Sequence, residues 1–278
     1  MTTVGIATGA GRGMGLACAR RMVGTVDTLL LVDRDEATVT AAAKELAASA
    51  EAGAVVEPFV LDVTDRDGMN RLAARTAERG TLRAVAHAAG ISPTMADWRS
   101  IFAVDLVGTA LLAETLRPLA TEGTAMVCFA SMAPLLGNLE ADPAVATVLD
   151  DPLDDAFLDR LHDALGPAVE DSGTAYGWAK YGVHRFVRRE ALRLGPLGAR
   201  ICSVSPGVID TPQGRQEAAK QPAMDALVRG SATGRPGRAE EVAAGVAFLL
   251  SAEASFVTGI DLLIDGGACA AVRGQAGR

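Results

Sequence analysis

Tyr176 and Lys180 are the two side chains of this sequence whose types and spacing point most directly to proton transfer. They stand four residues apart in a segment of helical pattern that runs to about residue 194, so they share one face of the predicted helix. A free phenol loses its proton only at about pH 10, and we expect the nearby ammonium of Lys180 to lower the pKa of Tyr176. The pair could then exchange a proton with a substrate oxygen while a hydride moves at the adjacent carbon.

Ser131 would supply a hydrogen bond to the same substrate oxygen, because it follows a buried apolar strand. A tyrosine and a lysine four residues apart are a frequent accident in protein sequences. The interpretation therefore depends on the elements that would bring Ser131, Tyr176 and Lys180 together.

Seven short apolar runs alternate with segments of helical length. The predicted strands cover residues 4–7, 29–32, 55–61, 84–87, 125–129, 200–204 and 261–264. This alternation predicts a Rossmann-type α/β fold, a doubly wound parallel sheet of seven strands with helices on both faces. We expect residues 1–278 to form a single domain. Ligands bind at the carboxyl ends of the strands in such a sheet, and the polar residues discussed here fall at those ends.

The turn after the first predicted strand is rich in glycine and opens a helix. Glycines let the backbone turn sharply and approach a pyrophosphate, and the free N–H groups of a helix N-terminus bind the anion. An ordinary turn is the alternative, but the position at the first strand–helix junction favours dinucleotide binding. The residues predicted to contact the dinucleotide here are Gly9, Arg12, Gly13, Met14 and Gly15.

Asp33 ends the second predicted strand, where an acid can accept hydrogen bonds from both ribose hydroxyls of an adenosine. It would repel a 2′-phosphate, which favours NAD over NADP as the cofactor. Arg12 and Arg34 could each attract a phosphate and keep NADP open as the alternative.

These residues, together with motifs along nearly the whole chain, resemble the short-chain dehydrogenase/reductase family. The further motifs are Asp62-Val63, Ala88-Ala89-Gly90, Ser205-Pro206-Gly207-Val208-Ile209-Asp210-Thr211-Pro212, Thr258-Gly259 and Asp265-Gly266-Gly267. The resemblance implies that Ser131 and Tyr176 bind the substrate oxygen, and that Lys180 also holds the nicotinamide ribose. It further implies cofactor contacts from Asp62, Val63, Ala88, Ala89, Gly90, Val104, Tyr176, Lys180, Pro206, Gly207, Val208 and Thr211.

The sequence departs from the family pattern at three places. His87 stands where the family has an asparagine after the fourth strand, and we expect it to replace that structural residue. Asp105 stands where the family has an asparagine that supports a water-linked proton relay. Asp105 could carry the relay, or it could be a helix-interior acid satisfied by the backbone. The third departure is a long insert between Ser131 and Tyr176.

The insert covers residues 138–173 and carries ten acids and one base, so it holds most of the negative charge of the chain. Asp142-Pro143 and Asp151-Pro152 each predict a helix start, with Asp154 and Asp155 in the first turn of the second helix. An apolar stripe at helical spacing needs a partner surface, and Gly166-Pro167 ends that helix. The stripe consists of Phe157, Leu158, Leu161 and Leu165.

We expect the insert to lie over or beside the substrate mouth, or against a neighbouring subunit, because both of its ends lie near the residues predicted to react. A surface excursion without substrate contact is the alternative. Its insertion point is similar to that of the bacterial 3α-hydroxysteroid dehydrogenase/carbonyl reductases. Its acids would disfavour anionic substrates and favour neutral, apolar ones.

Composition excludes several classes of function. A formal net charge of −8 argues against nucleic acid as a partner. No apolar run approaches the ~20 residues that span a bilayer, and the first residues do not have the pattern expected of a signal peptide. The four cysteines are widely spaced and the histidines number three, so we expect reduced thiols in a cytoplasmic protein and no metal site.

The sequence therefore predicts an NAD-dependent oxidoreductase that interconverts a secondary alcohol and a ketone. The substrate is expected to be a neutral, apolar small molecule, steroid-like or cyclic terpenoid-like, and the protein is expected to form a homodimer or homotetramer. The alternative is a non-catalytic protein that senses the nicotinamide cofactor. A sensor needs only the glycine turn and Asp33, so retention of Ser131, Tyr176 and Lys180 favours the enzyme.

Overall fold

The structure of the protein, a computed structural model, describes residues 2–49 and 54–276. All seven predicted strands are present in one parallel sheet with the order β3-β2-β1-β4-β5-β6-β9. The strands of this sheet are β1 (Thr3–Thr8), β2 (Thr28–Asp33), β3 (Val55–Val60), β4 (Thr81–His87), β5 (Ala125–Phe129), β6 (Arg200–Pro206) and β9 (Asp261–Ile264). Two short strands, β7 (Ile209–Asp210) and β8 (Gly237–Arg238), pair outside it.

The helices cover both faces of the sheet, as the sequence predicts. They are α1 (Gly13–Met22), α2 (Glu36–Ser49), α3 (Arg66–Arg79), α4 (Trp98–Phe102), α5 (Gly108–Leu116), α6 (Ala133–Leu136), α7 (Pro143–Leu149), α8 (Phe157–Leu165), α9 (Ser172–Leu194), α10 (Pro212–Lys220), α11 (Ala223–Gly230), α12 (Ala239–Leu250) and α13 (Ala268–Ala276). A π-helical turn at Ala103–Val107 joins α4 to α5.

Strand β2 shows why the sheet is covered on both faces. Leu29 and Leu31 pack into the core formed with α1, α2 and α12, and Leu30 and Val32 pack into the core formed with α3, α5 and α9. Alternate residues of a strand point to opposite faces, so a strand that is apolar throughout needs a partner on each. The chain winds outward from β1 in both directions, which leaves a switch point between β1 and β4 where ligands bind in this fold class.

The insert is helical and packs against its own chain. Phe157 and Leu161 of α8 are buried, and the Phe157 ring meets Phe102 of α4 edge to face at a centroid distance of 6.0 Å. Arg185 of α9 donates two hydrogen bonds to the Asp150 carboxylate at 2.8 and 2.9 Å. The buried part of the predicted apolar stripe therefore packs within its own chain, where Phe157 contacts α4.

The first helix of the insert starts where the sequence predicts, and the second does not. Asp142 caps α7 by accepting hydrogen bonds from the backbone N–H groups of residues 144 and 145, both at 2.9 Å. The Asp151-Pro152 prediction is wrong, because residues 151–156 form turns and α8 begins only at Phe157. Asp154 precedes the helix and accepts from the N–H of residue 156 at 2.7 Å, so it fixes the preceding turn. The helix ends at Gly166 as predicted.

Candidate active site

A cleft of about 400 Å³ opens at the carboxyl ends of the sheet strands. It contains every residue that the sequence predicts for the site except Lys180 and Asp105, which are buried directly behind it. The predicted residues that line it are Gly9, Arg12, Gly13, Met14, Gly15, Asp33, Arg34, Asp62, Val63, Ala88, Ala89, Gly90, Val104, Ser131, Tyr176, Pro206, Gly207, Val208 and Thr211.

The glycine turn has the backbone geometry that a pyrophosphate site needs. Gly9 and Gly13 adopt φ angles of 62° and 60°, in the left-handed region that favours glycine. A Cβ atom at Gly15 would collide with the Gly9 carbonyl, so the start of α1 packs closely on the end of β1. The turn and the N-terminus of α1 line the cleft and fit the phosphates of a dinucleotide.

Asp33 links the glycine turn to the end of β2. Its carboxylate accepts hydrogen bonds from the backbone N–H groups of Gly11 at 3.0 Å and Asp35 at 3.1 Å. These bonds fix the carboxylate at the edge of the cleft, where Arg12 and Arg34 are exposed beside it. The residues present therefore fit the adenosine half of a nicotinamide dinucleotide.

Tyr176 and Ser131 meet at the other end of the cleft. Burial raises the pKa of Tyr176 well above its usual value, and the Asp105 carboxylate raises it further. A hydrogen bond with Ser131 acts in the opposite direction, and the Glu217 carboxylate again raises the pKa. The pKa of Tyr176 is therefore raised, whereas the sequence predicts that it is lowered, because burial and two carboxylates outweigh the Ser131 hydrogen bond.

Lys180 turns its charge toward Asp105. The Lys180 ammonium lies 3.4 Å from Asp105 Oδ2 and donates a hydrogen bond to the Phe129 carbonyl at 3.1 Å. The ammonium is also 5.6 Å from the centroid of the Tyr176 ring. Lys180 thus has both the Tyr176 ring and a buried carboxylate as neighbours.

Asp105 lies in the π-helical turn, completely buried. Its Oδ1 accepts a hydrogen bond from the Ile91 N–H at 2.9 Å, and its Oδ2 accepts none of good geometry from the described residues. Burial raises its pKa, and Lys180 opposes this. The backbone therefore satisfies one oxygen only, and the other faces the lysine. π-Helical turns often occur at functional sites.

His87 closes a chain of hydrogen bonds beneath the cleft. Its Nδ1 lies 2.8 Å from the Thr8 hydroxyl, and its Nε2 lies 3.0 Å from the Thr109 hydroxyl. Thr8 accepts from the Ala89 N–H, and Thr109 donates to the Asp105 carbonyl. This pattern assigns the ring proton to Nε2, and burial lowers the pKa of His87 to about 3. A neutral imidazole thus ties the ends of β1 and β4 to the π-helical turn.

The outer part of the cleft is formed by residues that the sequence analysis did not identify. Its wall is largely apolar, but α10 contributes a carboxylate at Glu217. Thr211 caps α10 by accepting a hydrogen bond from the Gly214 N–H at 3.0 Å, but no local sequence pattern shows which face of α10 meets the cleft. The outer lining includes Pro93, Met95, Leu136, Gln213, Glu217, Gln221, Met224 and Leu227. Of the insert, only Gly173 lines the cleft.

The sheet order and this site define a nicotinamide-dependent oxidoreductase fold, and comparison with known proteins agrees. The family model described as enoyl-(acyl carrier protein) reductase matches residues 9–144 and 164–269, so the unmatched stretch falls inside the insert. The chain is 33% identical over 266 residues to the short-chain dehydrogenase/reductase bsc3 of Alternaria brassicicola, with 94% of each chain covered. The chain belongs to the short-chain dehydrogenase/reductase family.

Two further proteins are similar to the chain over nearly its whole length. The chain is 31% identical to the cis-4-hydroxycyclohexanecarboxylate dehydrogenase of Sinomonas cyclohexanicum, with 95% of each chain covered. A solved structure titled as a glucose/ribitol dehydrogenase from Brucella melitensis is 26% identical, has a TM-score of 0.75 and covers 96% of each chain. The protein is therefore a family oxidoreductase for alcohol- or ketone-type substrates that uses a nicotinamide cofactor. Within the described ranges, no helix is long and apolar enough to cross a membrane.

Proposed function

We propose that the protein is an NAD-dependent oxidoreductase that interconverts a secondary alcohol and a ketone in this cleft. The observation that carries the proposal is that Tyr176 and Ser131 line the same cleft as the glycine turn and Asp33. Bound nicotinamide would supply the hydride acceptor or donor for the substrate carbon. The rest of the chemistry falls to the side chains around the substrate oxygen.

In this proposal Tyr176 exchanges a proton with the substrate oxygen, and Ser131 holds that oxygen by a hydrogen bond. A raised pKa keeps the phenol protonated at neutral pH, which suits proton donation to a ketone oxygen. Lys180 would hold the nicotinamide ribose and stabilise the phenolate that forms. Asp105 is a positioning residue that holds Lys180 and would pass the proton onward.

The choice of NAD over NADP rests on Asp33. Its carboxylate is fixed by two backbone N–H groups and cannot swing away from a 2′-phosphate without losing them. The exposed Arg12 and Arg34 could each approach such a phosphate, so NADP is the alternative.

The proposed substrate is a neutral cyclic alcohol or ketone with an apolar body, steroid-like or cyclic terpenoid-like. Support comes from the apolar side chains around the outer cleft, among them Met95, Leu136, Met224 and Leu227. A relative is named for 4-hydroxycyclohexanecarboxylate, which supports a cyclic alcohol as substrate but carries a negative charge. The acids of the insert no longer support this inference, because only Gly173 of that segment lines the cleft.

We also propose that the protein forms a homo-oligomer. Strand β9 is an edge of the sheet, and the large apolar side chains of Phe248, Phe256 and Ile260 are exposed near it. An uncovered edge strand with apolar neighbours invites pairing with another chain. Sedimentation or light scattering of the purified protein distinguishes monomer, dimer and tetramer.

A substrate panel tests the enzymatic function. Purified protein is mixed with NAD or NADH and with secondary alcohols or ketones that include steroids and cyclic terpenoid alcohols, and NADH absorbance is followed. We expect turnover of at least one cyclic member. Tight NAD binding without turnover of any member would contradict the proposal and favour a cofactor sensor.

A further inference from the structure

Glu217 is the one acid among the outer residues of the cleft, and it is half-buried. Its carboxylate accepts no hydrogen bond and forms no ion pair with the described residues. The two cations nearest to it along α10 are engaged elsewhere. Arg215 pairs with Asp210 at 2.5 Å, and Lys220 donates to the Thr94 carbonyl at 3.0 Å. The fold therefore leaves this carboxylate without a partner.

Glu217 and the reacting phenol share one space. The Glu217 charge contributes to the raised pKa of Tyr176. Both side chains line the cleft, and Gln213 and Gln221 line it beside Glu217. Burial raises the pKa of Glu217 itself, since desolvation disfavours the charged form.

A half-buried carboxylate without a partner is costly, because burial removes water without returning a hydrogen bond. The cost disappears when a ligand in the cleft donates to it. The other outer residues named above are apolar or are amides, so they neither pair with Glu217 as cations nor repel it as acids. The position thus favours a ligand that has an apolar body and one polar donor.

We propose that Glu217 determines substrate specificity by accepting a hydrogen bond from a hydroxyl or ammonium group on the substrate, remote from the reacting carbon. This inference rests on the proposed function and narrows its substrate class. The preferred substrate is a cyclic alcohol or ketone with a second hydrogen-bond donor across the ring. A carboxylate at the same ring position is rejected by charge repulsion.

A matched series of substrates tests the proposal. The series is cyclohexanol, trans-1,4-cyclohexanediol, 4-aminocyclohexanol and 4-hydroxycyclohexanecarboxylate, and kcat/KM is measured for each with NAD. The wild-type protein is expected to prefer the diol or the amino alcohol to cyclohexanol. Glu217→Leu should lower kcat/KM for the preferred donor substrate by about 10- to 100-fold, the range for a lost hydrogen bond to a charged group. Any effect of the lost charge on the pKa of Tyr176 is shared by all four substrates, so the proposal is tested by the fall in kcat/KM relative to that for cyclohexanol.

Two further variants distinguish a hydroxyl donor from an ammonium donor on the substrate and control for the loss of a surface charge. Glu217→Gln keeps an acceptor oxygen, so it should retain part of the preference for the diol and lose the preference for the amino alcohol. Asp225→Asn removes an exposed acid on the next helix that does not line the cleft, and it should change none of the four values. Thermal unfolding of each variant verifies that the protein is folded.

The outcomes distinguish this proposal from the proposed function. If cyclohexanol is oxidised but Glu217→Leu changes all four substrates equally, or none of them, Glu217 does not recognise a donor and the proposal is wrong. If the wild-type protein oxidises no member of this series or of the wider panel, the proposed function fails and the inference fails with it. Selective loss for the donor-bearing substrates supports both.

Discussion

The Lys180 ammonium nitrogen lies 3.4 Å from Asp105 Oδ2, and both side chains are buried behind the cleft. The family that the chain resembles has an asparagine at the position of Asp105, which is polar but uncharged. Here a carboxylate partly neutralises the lysine and raises the pKa of Tyr176. The aspartate at this position changes the electrostatics around the Tyr176 phenol while accepting a hydrogen bond from the Ile91 N–H.

Asp105→Asn should therefore move the pH profile of alcohol oxidation. Removal of the negative charge lowers the pKa of Tyr176, so the phenolate that accepts the proton forms at lower pH. The rise of kcat/KM with pH should shift to lower pH, and activity at neutral pH should be kept or increased. Glu217→Gln should shift the profile in the same direction, because Glu217 also raises this pKa.

Asp105→Ala is the companion to that measurement. It should lower activity without unfolding the protein, since it removes the group that holds Lys180. If the alanine variant is as active as the wild type, Asp105 has no role in the reaction. An unmoved pH profile in Asp105→Asn would show that the carboxylate does not act on Tyr176.

Cofactor preference is expected to follow Asp33. The wild-type protein should use NAD at least about tenfold better than NADP, because a fixed carboxylate repels a 2′-phosphate. Asp33→Ser should reduce that preference by improving the use of NADP, and Glu36→Gln controls for loss of a nearby exposed acid. Equal or better use of NADP by the wild type would point to Arg12 and Arg34 as the determinants.

His87 should make the protein less stable in mild acid. Its pKa is about 3 in the folded protein and has an ordinary value of 6.5, so the unfolded chain binds the extra proton first. The stability that the neutral ring contributes is complete above about pH 6.5 and falls as pH drops toward 3. His87→Asn should show a smaller loss of unfolding free energy between pH 7 and pH 5 in urea titrations. Equal losses in both proteins would contradict a neutral buried histidine.

Phe157 should be important for stability and not for turnover. Phe157→Ala leaves a cavity between α8 and α4 and should lower the free energy of unfolding by about 3–5 kcal/mol. The kcat should stay near the wild-type value, because α8 does not line the cleft. Asp163→Ala on the exposed side of α8 is the matched control with little expected change. A large fall in kcat with normal stability would contradict this and would indicate that the insert contributes to substrate binding.

The sequence was sufficient to predict the elements whose side chains are dictated by local pattern. The sheet strands are apolar throughout, so their positions and the double cover follow from the sequence alone. The glycine turn and Asp33 were recognisable because they stand at strand ends, and Tyr176 because Lys180 follows it by four residues on one helix. The Asp142 cap could be predicted because its partners, the N–H groups of residues 144 and 145, are only two and three residues away.

The features that could not be predicted depend on contacts distant in sequence. The pKa of Tyr176 depends on Asp105 and Glu217, which are far from it in the chain. Glu217 lines the cleft only because the chain folds α10 against the cleft. Asp151-Pro152 has the pattern of a helix start, but Asp154 accepts from the following backbone and delays the helix. The partner surface of the insert on α4 and α9 carries no local signal at all.

Substitution of Tyr176 by phenylalanine is the most direct test that this cleft performs proton-coupled oxidation and reduction. The variant keeps the ring and its packing but lacks the oxygen that exchanges the proton. With the best substrate of the panel, NADH absorbance should show kcat lowered by about 10²-fold or more, the loss expected for a general acid or base. NAD binding, followed by quenching of tryptophan fluorescence, should persist. A Tyr176→Phe protein with near-normal turnover would contradict the account, because another group would then transfer the proton.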